Sequence, residues 1–206
     1  NTNTHSSVSI ATADPVEGDN TYILGMLNNC TINCNTDDYV NLNMEFIAKK
    51  ETAATLTPSY STTAKLYTPD NVTFGYATNF AGLSSATAMK VKNFQLNIEK
   101  NVNIDWVNGS TEPDDIQNGR LGITGEVTLT YDSTTFRDFA LSDTAKAMLI
   151  TLNNGEYKWE IKFPSVLFQG WNRDTDLDGI VTETFGFTAN YADTTNGLVQ
   201  AVVTEV

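Results

Sequence analysis

The sequence predicts an all-β protein with one short helix, folded as a β-sandwich or a partly open β-barrel with long loops. Of its 206 residues 40% are hydrophobic and only 18% are charged, a composition typical of a globular chain that can bury a substantial core. The chain contains 30 Thr and 22 Asn, which favour half-buried strands and turns respectively. Apolar and polar residues also alternate along much of the chain, as in strands that bury one face.

The first strands are predicted after an N-terminal arm, residues 1–20. Residues 22–35 and 39–49 both have strand patterns, and Asp37 and Asp38 mark a turn between them. The second strand has an apolar face made of every other residue, namely Val40, Leu42, Met44, Phe46 and Ala48.

A long excursion is predicted over residues 51–87, where Pro58 and Pro69 interrupt regular structure. Within it we expect two short strands, at residues 65–67 and 73–76. We treat the whole chain as one β domain.

Regular alternation returns near residue 88 and continues to the C-terminus. Strands are predicted at residues 89–100, 101–106, 121–131, 147–152, 157–168, 180–192 and 198–206. The run from Asn153 to Gly155 predicts a tight hairpin, and Thr195 to Gly197 predicts the last turn.

One segment has the features of a helix start. Asp132 or Ser133 can cap the N-terminus, and Phe136, Phe139 and Ala140 then fall on one face. We therefore predict a short helix that packs its aromatic face on the sheet.

The chain is acidic, with 25 Asp and Glu against 12 Lys and Arg, a net charge of −13. Proteins that hold nucleic acid use basic surfaces, because neutralising phosphates supplies most of the affinity. Two interpretations stay open: the acidity keeps the chain in solution, or it forms a surface along which DNA slides without binding.

Cysteine and histidine are too few for a common metal site or a catalytic site. Cys30 and Cys34 lie about 13 Å apart along one extended strand, too far for a disulfide, so we expect two buried free thiols. His5 is the only histidine, which argues against a zinc site and a Ser–His–Asp or Cys–His site. A carboxylate pair for glycoside cleavage stays open, but no acidic pair stands out. We predict no catalytic residues and no bound cofactor.

Asp174, Asp176 and Asp178, followed by Gly179, have the spacing that begins an EF-hand calcium loop. The acidic ligand required at the twelfth position is missing, because Phe185 occupies it. The flanking sequence also predicts strands rather than helices. We prefer an acidic loop that needs no metal, with Ca²⁺ as the alternative.

No apolar run approaches the roughly 20 residues that cross a bilayer, so no membrane association is expected. The chain begins at Asn1 without an initiator Met or a signal-peptide pattern. We expect a processed form or a fragment of a longer subunit.

From residue 88 onward the order of segments resembles that of phage tail tube proteins. A strand from Val91 to Ile98 and a loop precede a glycine-containing strand from Gly119 to Leu129. Next come a short helix opened by an acidic residue, a hairpin, and a strand that ends in Trp159–Val166. The closing strand is Val181–Ala189. Residues 21–50 resemble an earlier strand pair of the same family.

The resemblance implies a structural virion protein, a subunit of the tail of a long-tailed bacteriophage. It implies self-association into six-fold rings stacked as a hollow tube, contacts with other tail proteins at the tube ends, and passage of DNA without specific binding. It also implies assembly in the host cytoplasm, and that the long loop from Asn108 to Gly119 contacts a neighbouring ring. From its composition this loop is expected to be mobile in an isolated subunit, and a disordered surface loop without a role in assembly stays the alternative.

Two alternatives remain. One is a secreted β-sandwich that binds carbohydrate through Trp106, Trp159 and Trp171, with calcium in the acidic loop. The other is a tube subunit of a phage-derived injection machine, which shares the fold.

Overall fold

The computed structural model describes residues 7–59, 63–175 and 179–206. Its strands are β1 (Val8–Thr12), β2 (Asn20–Asn35), β3 (Asn41–Ile47), β4 (Glu51–Ala53), β5 (Val72–Ala77), β6 (Thr87–Met89), β7 (Val91–Glu99), β8 (Asn103–Asp105), β9 (Asp115–Gln117), β10 (Gly122–Thr130), β11 (Lys146–Asn153), β12 (Tyr157–Asp174), β13 (Thr182–Ala189) and β14 (Gln200–Glu205). The helix α1 is Thr135–Ser142, and two 3-10 turns span Pro69–Asn71 and Phe80–Ser85. The predicted all-β class with one short helix is confirmed, and the sheets are open rather than closed into a barrel.

The chain divides into two compact units. Unit 1 comprises Asn1–Thr31, Asn43–Ala64 and Ile98–Gly122, and unit 2 comprises the remaining segments, Ile32–Leu42, Lys65–Asn97 and Ile123–Val206. Strands β2, β3, β7 and β10 each contribute residues to both units. The single domain expected from the sequence therefore stays a prediction.

Unit 1 is built on the hairpin of β1 and β2, in which Ile10 pairs with Tyr22. Strand β4 pairs with the same part of β2 and places Glu51 opposite Tyr22. A separate small hairpin joins β8 to β9, with Ile104 opposite Ile116.

Unit 2 contains an antiparallel sheet whose hydrogen-bonded path includes β10, β13, β12, β11, β5 and β6 in that order. Strand β12 is 18 residues long, and β14 pairs with its first half. The hairpin predicted between β11 and β12 is confirmed. Gly155 has φ +81°, and Asn154 Oδ1 accepts hydrogen bonds from the amides of Glu156 and Tyr157.

The core of unit 2 is aromatic, because alternate residues of its strands project to the same side. Phe163, Phe185 and Phe187 are fully buried on β12 and β13. The predicted aromatic face of α1 packs here, with the ring of Phe136 stacked on that of Phe185 at 4.9 Å between centroids. The N-cap of the helix is Thr134, one or two residues later than predicted.

The excursion over residues 51–87 contains the predicted strand near residues 73–76, as β5, but no strand at residues 65–67. Single hydrogen bonds hold that segment instead. The amide of Val40 donates to Tyr67 O at 3.0 Å, and Asn154 Nδ2 donates to Lys65 O at 3.1 Å. The Tyr67 hydroxyl donates to Tyr157 O at 3.3 Å. Of the two carbonyls of this segment, one therefore accepts a bond from a backbone amide and the other from an asparagine side chain, without a strand ladder.

Both cysteines are free and buried, as predicted, and burial raises the pKa of each thiol. No helix in the described part of the chain is both long enough and apolar enough to cross a bilayer.

Candidate assembly surfaces

Large hydrophobic side chains remain exposed in both units, and they mark the surfaces where a partner could bind. The most informative case is the predicted apolar face of β3, on which Leu42 is 44% exposed and Met44 is 53% exposed, while Val40, Phe46 and Ala48 are half-buried. Two adjacent large apolar side chains left exposed on one face of a strand are unusual for a chain that functions alone.

Unit 1 contains a cleft of about 490 Å³, which we call the Trp106 cleft. Its residues are Ile10, Tyr22, Phe46, Ala48, Lys49, Lys50, Ile104, Trp106, Thr111, Glu112 and Pro113. Trp106 is 60% exposed, so most of its ring is available for contact. The Tyr22 hydroxyl donates to Glu51 Oε2 at 3.1 Å, and this bond to a carboxylate is the main cause of the raised pKa of Tyr22.

One wall of the Trp106 cleft is the loop that the sequence predicted to be mobile. Its second half forms β9, in which Ile116 is only 2% exposed. The amide of Asp114 donates to Asp105 O at 2.9 Å, and Lys49 Nζ donates to Asp114 O at 3.1 Å. The mobility of this loop in an isolated subunit stays a prediction, and Ile116 is the residue that attaches its second half to the rest of the unit.

Unit 2 has a smaller apolar groove of about 170 Å³, which we call the Trp159 groove. It is lined by Ile32, Val40, Leu42, Tyr67, Leu152 and Trp159. Trp159 of β12 lies opposite Leu152 of β11 and opposite Val203 of β14. These three apolar residues form a row across the strands that extends beyond the groove. Val203 is 58% exposed.

Strand β14 is an edge of the sheet. Within residues 7–59, 63–175 and 179–206 it pairs with β12 only, and its residues are exposed except for half-buried Gln200. Its other edge has backbone groups directed away from β12, and such an edge can accept a strand from another chain.

Glu183 is the one buried acidic residue of the described chain, at 1% exposure. Its Oε2 accepts a hydrogen bond of 2.7 Å from Trp171 Nε1, whereas its Oε1 has no hydrogen-bond partner. Burial raises the pKa of the Glu183 carboxyl, and the nearby Asp132 adds to the effect. This arrangement has the features of a structural core carboxyl: one indole donor and no second titratable group in hydrogen-bond contact.

The predicted calcium loop lies only partly within the described residues. Asp174 is an exposed residue at the end of β12, opposite Thr182, while Asp176 and Asp178 lie outside the described residues. Phe185, at the twelfth position of the motif, is fully buried and cannot bring an oxygen ligand to the loop. Among the described residues no cluster of three or more His, Cys, Asp or Glu could hold a metal ion.

The three tryptophans proposed as a sugar platform have different environments. Trp171 donates its indole N–H to the buried Glu183, so that donor is already used. Trp106 belongs to the cleft of unit 1 and Trp159 to the groove of unit 2. Trp106 and Trp159 thus keep exposed ring surface in two different units, 60% and 37% respectively.

The sequence matches the family model described as phage tail tube protein over residues 2–189. The match includes residues 51–87, which the resemblance seen in the sequence did not reach, and it ends with β13, before β14. No curated protein matches the chain. A solved structure of a type VI secretion system effector from Yersinia pestis aligns at 10% identity and a TM-score of 0.34, over 66% of this chain and 99% of that one. At that TM-score the likeness indicates neither a shared fold nor a shared function. Because the family model covers most of the sequence, the chain belongs to the phage tail tube protein family and is a structural subunit of a phage tail tube.

Proposed function

We propose that copies of this chain close into six-fold rings and that the rings stack into the hollow tube through which phage DNA is ejected. The observation that supports this most directly is the amount of apolar surface left uncovered, at the Trp106 cleft, at the Trp159 groove and along β3. Such surfaces are costly in a monomer and are stabilised when another subunit covers them.

The free edge of β14 supports the same proposal. Edge strands promote uncontrolled pairing unless they are blocked or used, and in an assembling protein a neighbouring sheet can continue across them. Contacts between two different surfaces of the same chain give a ring when the rotation closes and a filament when it does not.

The negative net charge of the chain is consistent with DNA passing through the tube without binding to it. Glu183 is the only buried acidic residue of the described chain, so every other described acidic side chain is at least partly exposed, in a chain whose net charge is −13. An acidic wall repels phosphates, so a genome moving past it is not held by many weak attractions. We expect no measurable binding of double-stranded DNA to the assembled protein at low ionic strength.

In this proposal the chain acts without catalysis, without a cofactor and without a membrane. It assembles in the host cytoplasm and meets other tail proteins at the ends of the tube. Its carboxylates then serve solubility and repulsion of DNA.

Negative-stain microscopy of the purified chain at increasing concentration tests the proposal. We expect rings or hollow tubes, and light scattering should show a mass that grows with concentration. A strictly monomeric species at the highest concentration reached would contradict it.

Two alternatives have their own tests. A carbohydrate-binding module would change its tryptophan fluorescence on titration with a panel of sugars, because exposed indole rings would stack on the ligand. A tube subunit of a phage-derived injection machine would be encoded beside the genes of that machine and away from genes for a phage head.

A further inference from the structure

An ordered turn between β1 and β2 presents one apolar side chain to solvent. Asp14 Oδ1 accepts hydrogen bonds from the amides of Val16 at 2.7 Å and Glu17 at 3.1 Å. The amide of Gly18 donates to Asp14 O at 3.0 Å, and Gly18 has φ +95°, a conformation that favours glycine. Val16 is 90% exposed, more than any other large hydrophobic residue of the described chain. We call Asp14–Glu17 the Val16 knob.

The base of the knob is also fixed. Asp19 accepts two backbone hydrogen bonds, from the amide of Ala54 to its carbonyl at 2.9 Å and from the amide of Leu56 to its Oδ2 at 2.8 Å. A turn held at both ends loses little conformational freedom when it binds. An exposed valine on such a turn is therefore suited to insertion into an apolar site.

The Trp106 cleft has the complementary chemistry. Most of its lining is apolar or aromatic. Two of the twelve basic residues of the chain, Lys49 and Lys50, line it against one acidic residue, Glu112, while Glu51 outside the lining accepts the hydrogen bond of Tyr22. The knob carries Asp14 and Glu17 beside its valine. In a chain with a net charge of −13, a cleft with more basic than acidic side chains is a specific place for an acidic knob to bind.

We propose that the Val16 knob of one copy inserts into the Trp106 cleft of a second copy, with Asp14 and Glu17 facing Lys49 and Lys50. The occupant is thus another copy of this chain, and the inference rests on the proposed function. The knob and the cleft share no residue, so the contact is heterologous and can repeat from copy to copy.

The test uses two variants that each remove one side of the contact. Val16→Asp removes the apolar tip, and Trp106→Glu places an acidic group in the cleft; both residues are exposed, so the fold should tolerate both changes. Leu141→Asp is the matched control, since Leu141 is 77% exposed on α1 outside the knob and the cleft. Circular dichroism and thermal melting establish that each variant is folded.

Assembly is followed by sedimentation velocity over a range of concentrations. We expect Val16→Asp and Trp106→Glu each to raise the concentration needed for assembly by about tenfold or more, from the loss of one buried valine or its apolar site. Leu141→Asp should leave it unchanged. A mixture of the two defective variants should form a heteromeric species that neither forms alone, because the intact knob of one fits the intact cleft of the other.

Charge exchange gives an independent measurement. Glu17→Lys and Lys50→Glu should each weaken assembly, and the two together in one chain should restore it.

The outcomes separate the two proposals. If the wild-type chain does not assemble, the proposed function fails. If the wild-type chain assembles and Val16→Asp assembles at the same concentration, the knob–cleft contact is wrong while the tube function stands. An equal loss in the Leu141→Asp control, no new species in the mixture, or no restoration by charge exchange would also overturn the contact.

Discussion

Gly125 of β10 lies directly opposite Phe187 of β13, and the phenylalanine ring occupies the space that a side chain at Gly125 would need. A Cβ added at Gly125 would meet the ring of Phe187 and would lie 2.6 Å from Gln95 O. Phe187 itself is fully buried. The glycine therefore gives a large aromatic residue its place in the core of unit 2, which accounts physically for a glycine in the middle of a regular strand.

Gly125→Ala should destabilise the protein by about 1–3 kcal/mol, because a rigid ring and a backbone carbonyl must both move. Gly122→Ala on the same strand is the control, since a Cβ there meets no atom within 4 Å, and its effect should stay within about 0.5 kcal/mol. Chemical denaturation of the two variants under conditions that keep them unassembled gives the comparison. Equal stability of both would show that the packing around Gly125 is looser than described.

Glu183→Gln should stabilise the chain relative to wild type as the pH rises from about 4 toward neutrality. Burial raises the pKa of Glu183 in the folded state, so folding favours its protonated form, and wild-type stability is lost as the pH rises through that pKa. Glutamine stays neutral and can still accept the hydrogen bond from Trp171. Melting temperatures of both proteins across this pH range provide the measurement, and a difference independent of pH would contradict the assignment.

Glu160→Gln should change stability with pH in the opposite direction to Glu183→Gln, because the pKa of Glu160 is lowered rather than raised. Lys158 and Lys162 bind the two oxygens of Glu160 at 2.8 and 3.1 Å and lower its pKa. The stabilisation from this carboxylate is present near neutral pH and is lost as the pH falls through the lowered pKa. The melting temperature of Glu160→Gln should therefore lie below that of wild type near neutrality, and the two should converge in acid.

Two isoleucines that lie opposite each other in the hairpin of β8 and β9 should affect different properties, one the stability of the fold and the other the assembly of subunits. Ile116→Ala should cost about 2–4 kcal/mol, since this side chain is 2% exposed and its removal leaves a cavity. Ile104→Ala at the opposite position should cost less than about 1 kcal/mol, because Ile104 is 40% exposed, but it should weaken assembly by widening the Trp106 cleft. Denaturation and sedimentation velocity measure the two effects separately.

Because β9 lies within the loop from Asn108 to Gly119, a test of that loop in assembly has to leave β9 in place. Replacing residues 110–117 by a short Gly-Ser turn would remove β9 and its buried isoleucine, and should therefore destabilise the fold. Replacing only residues 108–111 retains both and tests whether the exposed tip contributes to tube growth. Tubes of normal length from that shorter replacement would exclude the tip from the contact.

The acidic loop should not need calcium. Phe185 at the twelfth position of the motif is buried, so the bidentate ligand of an EF-hand loop is missing. Adding millimolar calcium should leave the melting temperature unchanged. An increase of several degrees that Asp176→Ala abolishes would show that the loop binds the ion with other ligands.

Local sequence determined most of the strands and the tight turns of this protein. The alternation that predicted strands at residues 121–131, 147–152 and 157–168 corresponds to β10, β11 and the first part of β12. The Asn-Gly turn at residues 154–155 forms for a local reason, because glycine adopts a positive φ there and an asparagine side chain binds the next amides.

Tertiary structure alone decided which faces are covered. Alternation in β3 shows that its two faces differ, but it cannot show that Leu42 and Met44 lie on a face that nothing in the described chain covers well. The burial of Glu183 and the anchoring of β9 by Ile116 are decided in the same way. Periodicity is a property of neighbouring residues, whereas burial depends on which distant segments pack against them, and that choice is made by the whole chain.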